Sequence, residues 1–178
     1  MATVKKAARK QAPAKSAAAK SGAPGDAVQL LMSDHKEVKG LFAQYQKLVD
    51  GDAGDDEKQE LAETICEMLT VHATIEEEIF YPAARDALDE QDLLDEAEVE
   101  HASAKDLIAQ IQGMEASEEL YDAKVTVLGE YINHHVQEEE GEMFPAAKKS
   151  SLDLKALGAE LLARKEELMG EMGDDDTV

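Results

Sequence analysis

Tryptophan is absent from this 178-residue chain, cysteine occurs once, and aromatic residues make up only 4%. A single cysteine excludes an intramolecular disulfide framework and any multi-cysteine zinc or iron–sulfur site. There is no run of 18 apolar residues, so no segment reads as a membrane span. Basic residues are outnumbered, with 18 Lys and Arg against 40 Asp and Glu and a formal charge of −22. That acidity argues against nucleic acid as the main partner of the folded part. What abounds is Ala, Leu, Glu, Asp and Met, a helix-forming composition poor in β-branched and aromatic residues. The length suits one domain with a real core.

The charge is unevenly placed. Lys5, Lys6, Arg9, Lys10, Lys15 and Lys20 fall within residues 1–25, which hold no acid, so the remainder has 12 basic against 40 acidic residues. Residues 1–25 are rich in Lys, Ala and Pro and almost devoid of large apolar side chains, too few to offset the entropy of ordering. They read as a disordered tail that solubilises the chain or makes weak contact with a polyanion. They lack the apolar stretch of a secretory signal, and a cytoplasmic location is expected.

Apolar residues then recur at three- and four-residue spacing, the stripe of a helix with one buried face. The first stripe starts near Asp26 and runs through Leu31, His35, Val38 and Leu41 to the stop at Gly51. The second spans about Asp55 to Leu88, with Pro82 expected to kink or end it. The third covers about Gln91 to Gln112. The fourth begins near Ser117 and passes Leu128, Ile132 and His135 toward Pro145. A fifth, from about Leu152 to Met169, is expected to pack against the others. Short connections between such helices predict an all-α, up-down antiparallel four-helix bundle over residues 26–149. A C-terminal helix over 150–172 and an acidic frayed end at 173–178 complete the expectation.

The histidines carry the chemistry. The second helix reads His72-Ala-Thr-Ile-Glu76 and the fourth His135-Val-Gln-Glu-Glu139, each with its His ten residues before a proline, Pro82 or Pro145. The first and third helices each add one, His35 and His101. The chain is a twofold internal repeat of His followed by His-x-x-x-Glu. Each i,i+4 pair shares a helix face, with Cβ atoms roughly 5–6 Å apart. Centring the turns near residues 52 and 116 leaves each lone His within about 6 Å of its partner's height along the axis. His35, His72, Glu76, His101, His135 and Glu139 can therefore converge inside the bundle. Unpaired buried carboxylates cost several kcal/mol each, and a bound cation removes that cost. Imidazole with carboxylate suits iron, zinc or manganese, and six such ligands suit a two-metal centre.

The repeat resembles the hemerythrin-like family of HHE cation-binding domains, over roughly residues 27–148 and including the Asp34-His35 opening. The resemblance implies a four-helix bundle holding two non-haem iron ions with an oxo or hydroxo bridge, zinc or manganese being possible substitutes. It puts His35, His72, Glu76, His101, His135 and Glu139 on the ligand positions. Oxygen-carrying members have a further histidine four residues after the third-helix one, where this chain has Lys105. Four His, two bridging Glu and a shared oxygen fill about ten of roughly twelve coordination positions. That favours a labile, reactive or sensing site over an oxygen store. Tyr45 and Tyr131 are candidates to complete the shell, against the plainer role of core tyrosines.

Other residues read more plainly. His134–Glu138 has the same spacing as His135–Glu139, but the proline alignment and the apolar side shared with Leu128 and Ile132 select His135. Glu77 and Glu140 occupy matching places and can orient a ligand imidazole. Cys66 reads as a small buried side chain, and Met68 and Met143 as packing. The acidic stretch Asp50–Glu57 reads as a turn, not a calcium loop. The expected ligand is a small diatomic molecule or peroxide, bound or reduced for sensing or protection. The alternative is a module whose iron level or redox state alters its fold and signals to a protein partner that the sequence leaves unknown.

Overall fold

The computed structural model describes residues 25–175, with side chains to residue 172, so the expected tail at 1–25 lies, Gly25 apart, outside the described residues, as do residues 176–178. Among the described residues the fold is all helical, with no strand. Helix α1 spans Ala27–Asp50. Asp26 opens it with a reciprocal cap: its carboxylate accepts from the Gln29 N–H at 2.9 Å, and the Gln29 side chain accepts from the Asp26 N–H at 3.3 Å. The turn at residues 51–54 closes through the Gly51 N–H to Lys47 O and places Asp52 at a φ of 50°, which a short polar side chain tolerates.

Helix α2 (Asp55–Ile75) begins with Asp55, Asp56 and Glu57 in its first turn, where they meet the positive end of the helix dipole. It passes without interruption into a π turn, Glu76–Phe80, and then α3, Tyr81–Ala87. Pro82 therefore does not end the helix. The wider turn, closed by the Tyr81 N–H to Glu76 O, lies just before the proline. Helix α4 (Gln91–Gln112) follows a corner where the Gln91 side-chain amide donates to Arg85 O and Leu88 O.

Helix α5 spans Tyr121–Glu138, four residues later than Ser117, because the Glu115 and Glu118 carbonyls accept backbone N–H groups in turns there. It too enters a π turn, Glu139–Met143, before α6, Phe144–Lys149. Helix α7 runs Leu154–Asp175, beyond Met169 and into the end expected to fray from 173, since Gly170 and Gly173 do not break it.

Helix α1 packs on α2 and α5, and α4 packs on the same two, giving an antiparallel four-helix bundle. Helix α7 lies across α1, α2 and the first π turn. Two apolar clusters form the core. One, toward the α1–α2 and α4–α5 turns, holds Val38, Ile65, Leu69, Ile108 and Leu128. The other holds Leu31, Ile75, Phe80, Leu94, Phe144 and Leu161. Full burial of each such side chain contributes about 1.5–3 kcal/mol. Between the clusters runs a polar layer of buried His and carboxylate side chains. No helix among the described residues is long and apolar enough to cross a membrane.

Candidate metal centre

All six side chains expected from the repeat meet in that layer. His35 comes from α1, His72 from the end of α2, Glu76 from the first π turn, His101 from α4, His135 from α5 and Glu139 from the second π turn. His35 Nε2 lies 3.2 Å from His72 Nε2, and His101 Nε2 lies 3.1 Å from His135 Nε2. Glu76 stands between the two pairs, with Oε1 3.2 Å from His72 Nε2 and Oε2 3.4 Å from His101 Nε2. Glu139 Oε2 lies 3.2 Å from His35 Nε2 and 3.5 Å from His135 Nε2. The donors form two adjoining clusters, His35–His72–Glu76–Glu139 and Glu76–His101–His135, which share Glu76. All six residues are buried.

Each imidazole also has a carboxylate on its outer nitrogen. Asp34 faces His72 Nδ1 at 3.4 Å and Glu100 faces His135 Nδ1 at 2.7 Å. Glu77 faces His101 Nδ1 at 3.0 Å and Glu140 faces His35 Nδ1 at 3.0 Å. The pattern follows the repeat. The residue before each lone His serves the other His of its own half, and the residue after each ligand-position Glu serves the lone His of the opposite half. Glu77 and Glu140 thus occupy the orienting positions their matching places suggested. The roles of Asp34 and Glu100 were missed, although their adjacency to the lone histidines is visible in the repeat.

This outer ring decides what the inner nitrogens can do. An ionised carboxylate only accepts, so each Nδ1 carries the proton and each neutral imidazole presents a lone pair at Nε2. Two such lone pairs 3.1–3.2 Å apart repel unless a proton or a metal cation lies between them. The carboxylates have the same need: Glu76 Oε1 and Oε2 and Glu139 Oε2 are buried without a hydrogen-bond partner. Burial alone would lower the His72 pKa, but the Glu76 carboxylate and the Asp34 contact push it up to about 10. His101 is also raised against burial, by Glu76 and Glu77. Glu76 in turn is held well below the usual carboxylate range, burial being overruled by His72 and His101. Protons therefore supply the positive charge of the metal-free protein. The donor set, with its partnerless oxygens, fits divalent or trivalent cations in their place.

The tyrosine at the centre is neither of those expected. Tyr45 donates to Asp122 Oδ1 at 2.7 Å within the core toward the turns, and Tyr131 is 50% exposed. Tyr81 is there instead. Its hydroxyl donates to Glu139 Oε1 at 2.9 Å and lies 3.2 Å from His101 Nε2 and 3.4 Å from His135 Nε2. Burial, with Glu139 and Glu76 nearby, raises its pKa well above the ordinary value. Its counterpart before the second proline is Phe144, whose ring stacks on His35 at 5.6 Å. At this position the two halves differ by one hydroxyl.

His134 is 66% exposed and meets Glu138 and Glu100 on the surface, outside the buried layer. Lys105 pairs with Glu77. Cys66 is buried and its thiol is pushed up to about 12, chiefly by burial. Beside the His35–His72 pair is a cavity of about 10 Å³ lined by Val38, Leu69, Ile132 and Val136, roughly the room of one water molecule.

A buried, two-lobed His and carboxylate centre within an antiparallel four-helix bundle defines a helical metal-binding domain. The family model of the hemerythrin HHE cation-binding domain matches residues 26–147. The chain belongs to that family, as the repeat suggested. A crystal structure of a hemerythrin HHE cation-binding domain-containing protein from Mycobacterium kansasii superimposes with a TM-score of 0.69 at 25% identity, over 83% of this chain and 89% of that one. A DNA nickase from Nostoc sp. is 30% identical over 178 residues, covering 90% of this chain and 48% of that protein. The chain spans about half the length of that relative.

Proposed function

We propose that this chain is a cytoplasmic, non-haem di-iron protein that binds or reduces a small oxidant, namely oxygen, peroxide or nitric oxide, in sensing or stress protection. In this reading His35, His72, Glu76 and Glu139 hold one ion and Glu76, His101 and His135 the other, with Glu76 common to both. Bound iron would supply the electrons that reduce the oxidant. The observation that carries the reading is the shared, buried Glu76, with both oxygens lacking a hydrogen-bond partner and each facing an imidazole of a different pair.

The chain's own groups define the rest. Asp34, Glu77, Glu100 and Glu140 hold the four imidazoles in one tautomer and raise the donor strength of Nε2. The Tyr81 hydroxyl holds a proton inside the layer, donated to Glu139 Oε1, where it would be on hand for a small oxidant. The roughly 10 Å³ cavity beside His35 and His72 has room for about one water molecule and excludes an organic substrate. A cleft of about 540 Å³ lined by Glu77, Tyr81, Ala102 and Lys105 offers an approach from the surface to the other half. Lys105 stands where oxygen carriers have an extra histidine, which favours turnover or sensing over storage.

The test is metal analysis of freshly purified protein with its visible spectrum, followed by peroxide and nitric oxide consumption. Two irons per chain, an oxo-to-iron absorption band and oxidant consumption are expected. A colourless zinc protein inert to oxidants would refute the reading. Iron without turnover, but with a large loss of helicity on chelation, would favour the alternative of an iron-dependent signalling module.

A further inference from the structure

Helix α7 lies beyond residues 26–147, yet it reaches the polar layer. Two successive residues hold α7 in place, Arg164 at the surface and Lys165 at the layer. Arg164 forks onto Glu78 of the first π turn, Nε to Oε2 at 2.7 Å and Nη2 to Oε1 at 3.3 Å. Lys165 donates from Nζ to Asp34 Oδ1, and the other oxygen of Asp34 takes the His72 Nδ1 proton. Asp34 is almost fully buried and Lys165 largely so. The chain of contacts from α7 to an inner nitrogen is therefore one lysine, one carboxylate and one imidazole.

Among the described residues no side chain of α7 does this for the second half, where Lys105, on α4 itself, holds Glu77. Glu100, the counterpart of Asp34, meets only the exposed His134 with its remaining oxygen. Helix α7 is itself fitted closely onto the domain. Leu161 is fully buried in the second core cluster, with Leu157 packed beside it. Gly158 crosses the start of α1 so tightly that a Cβ there would stand 2.6 Å from Gly25 O and 2.8 Å from Ala27 N. No rotamer change relieves a collision with backbone.

We propose that Lys165 is a positioning residue for the His35–His72 half of the centre, through which docking of α7 and occupancy of that half by a metal ion are reciprocally linked. The inference rests on the iron-binding reading above. Lys165 fixes Asp34, and Asp34 fixes the ring orientation and tautomer of His72. A metal ion at His72 in turn needs that orientation, and so favours the docked helix. Linkage requires that each event strengthen the other by the same factor. The carboxylates that orient the His101–His135 half, Glu77 and Glu100, take no hydrogen bond from α7 among the described residues, so Lys165 acts on the His35–His72 half.

The experiment compares iron-loaded full-length chains, measuring iron retained under a chelator and amide hydrogen exchange of α7. The wild type is expected to keep two irons, with α7 exchanging about 10-fold more slowly than in the iron-free chain. Lys165→Met is expected to keep one iron and to lose the iron-dependent protection of α7, and Lys165→Arg to restore both. Gly158→Ala undocks the helix from its far side and should also shed one iron, with α1–α5 helicity retained. Lys105→Met, which acts on the other half through Glu77, should leave iron-dependent protection of α7 in place. Two irons in Lys165→Met with α7 still protected by iron would overturn the inference and leave the iron reading standing. So would two irons in Gly158→Ala with α7 exchanging freely. A wild type that holds no iron would overturn both.

Discussion

Glu76 is the side chain on which both halves of the centre depend, and Glu76→Gln tests this with little change in volume. Glutamine keeps one acceptor oxygen, but its NH₂ group cannot donate a lone pair to a metal ion. The substitution also removes the negative charge that lies 3.2 Å from His72 Nε2 and 3.4 Å from His101 Nε2. Apparent binding energies of about 10–16 kcal/mol for four-ligand structural zinc sites imply roughly 3 kcal/mol per ligand, about a 100-fold loss of affinity. With free metal at 1,000 times Kd, binding stabilises the fold by about 4.1 kcal/mol per ion, and a 100-fold weaker site leaves about 1.4 kcal/mol. Two ions then cost roughly 5 kcal/mol of metal-dependent stability, or about 10–20 °C in Tm for a domain of this size. The assay is the difference in Tm with and without metal, so changes in the metal-free protein cancel. His72→Ala should remove mainly one ion, whereas Glu76→Gln weakens both. Retention of two ions by Glu76→Gln, with an undiminished metal-dependent rise in Tm, would refute the bridging arrangement.

Three further outcomes follow from the same geometry. Because His72 is raised above its usual 6.5 to about 10, its contribution to the metal-free fold is complete below about pH 6.5 and fades toward pH 10. That of Glu76, depressed from 4.5, is lost on acidification. The metal-free protein should therefore be best supported by this pair between about pH 4.5 and 6.5, whereas metal binding releases protons and weakens as pH falls. Melting curves against pH with and without metal should diverge, and parallel curves would contradict the proton-for-metal exchange. Tyr81→Phe removes the donor to Glu139 Oε1 and should cost the metal-free protein about 1–3 kcal/mol in urea titration, and an unchanged midpoint would show that the bond does not hold. The loaded protein should leave supercoiled plasmid intact, since its acidic folded part repels phosphodiesters. Nicking that disappears in Glu76→Gln would instead bring the activity named for the Nostoc relative to this chain.

The sequence by itself determined the helices, their antiparallel pairing and the six inward donors. Those depend on local rules: 3.6-residue periodicity, Gly stops, and the i,i+4 spacing of His72–Glu76 and His135–Glu139, duplicated around Pro82 and Pro145. It also marked Glu77 and Glu140 as candidates, because the repeat put them in equivalent places. Tyr81 was illegible for a physical reason. At 100° per residue, five steps put it about 140° from Glu76, off the buried face. The π turn closes on the fifth residue and rotates Tyr81 into the layer. The same regular spacing made Tyr45 and Tyr131 look better placed than they are. Only the tertiary structure decided that Asp34 and Glu100 hold the imidazoles of neighbouring helices, and that Lys165 arrives from 131 residues away. Such contacts depend on how helices cross in three dimensions, and no periodicity along the chain encodes a crossing.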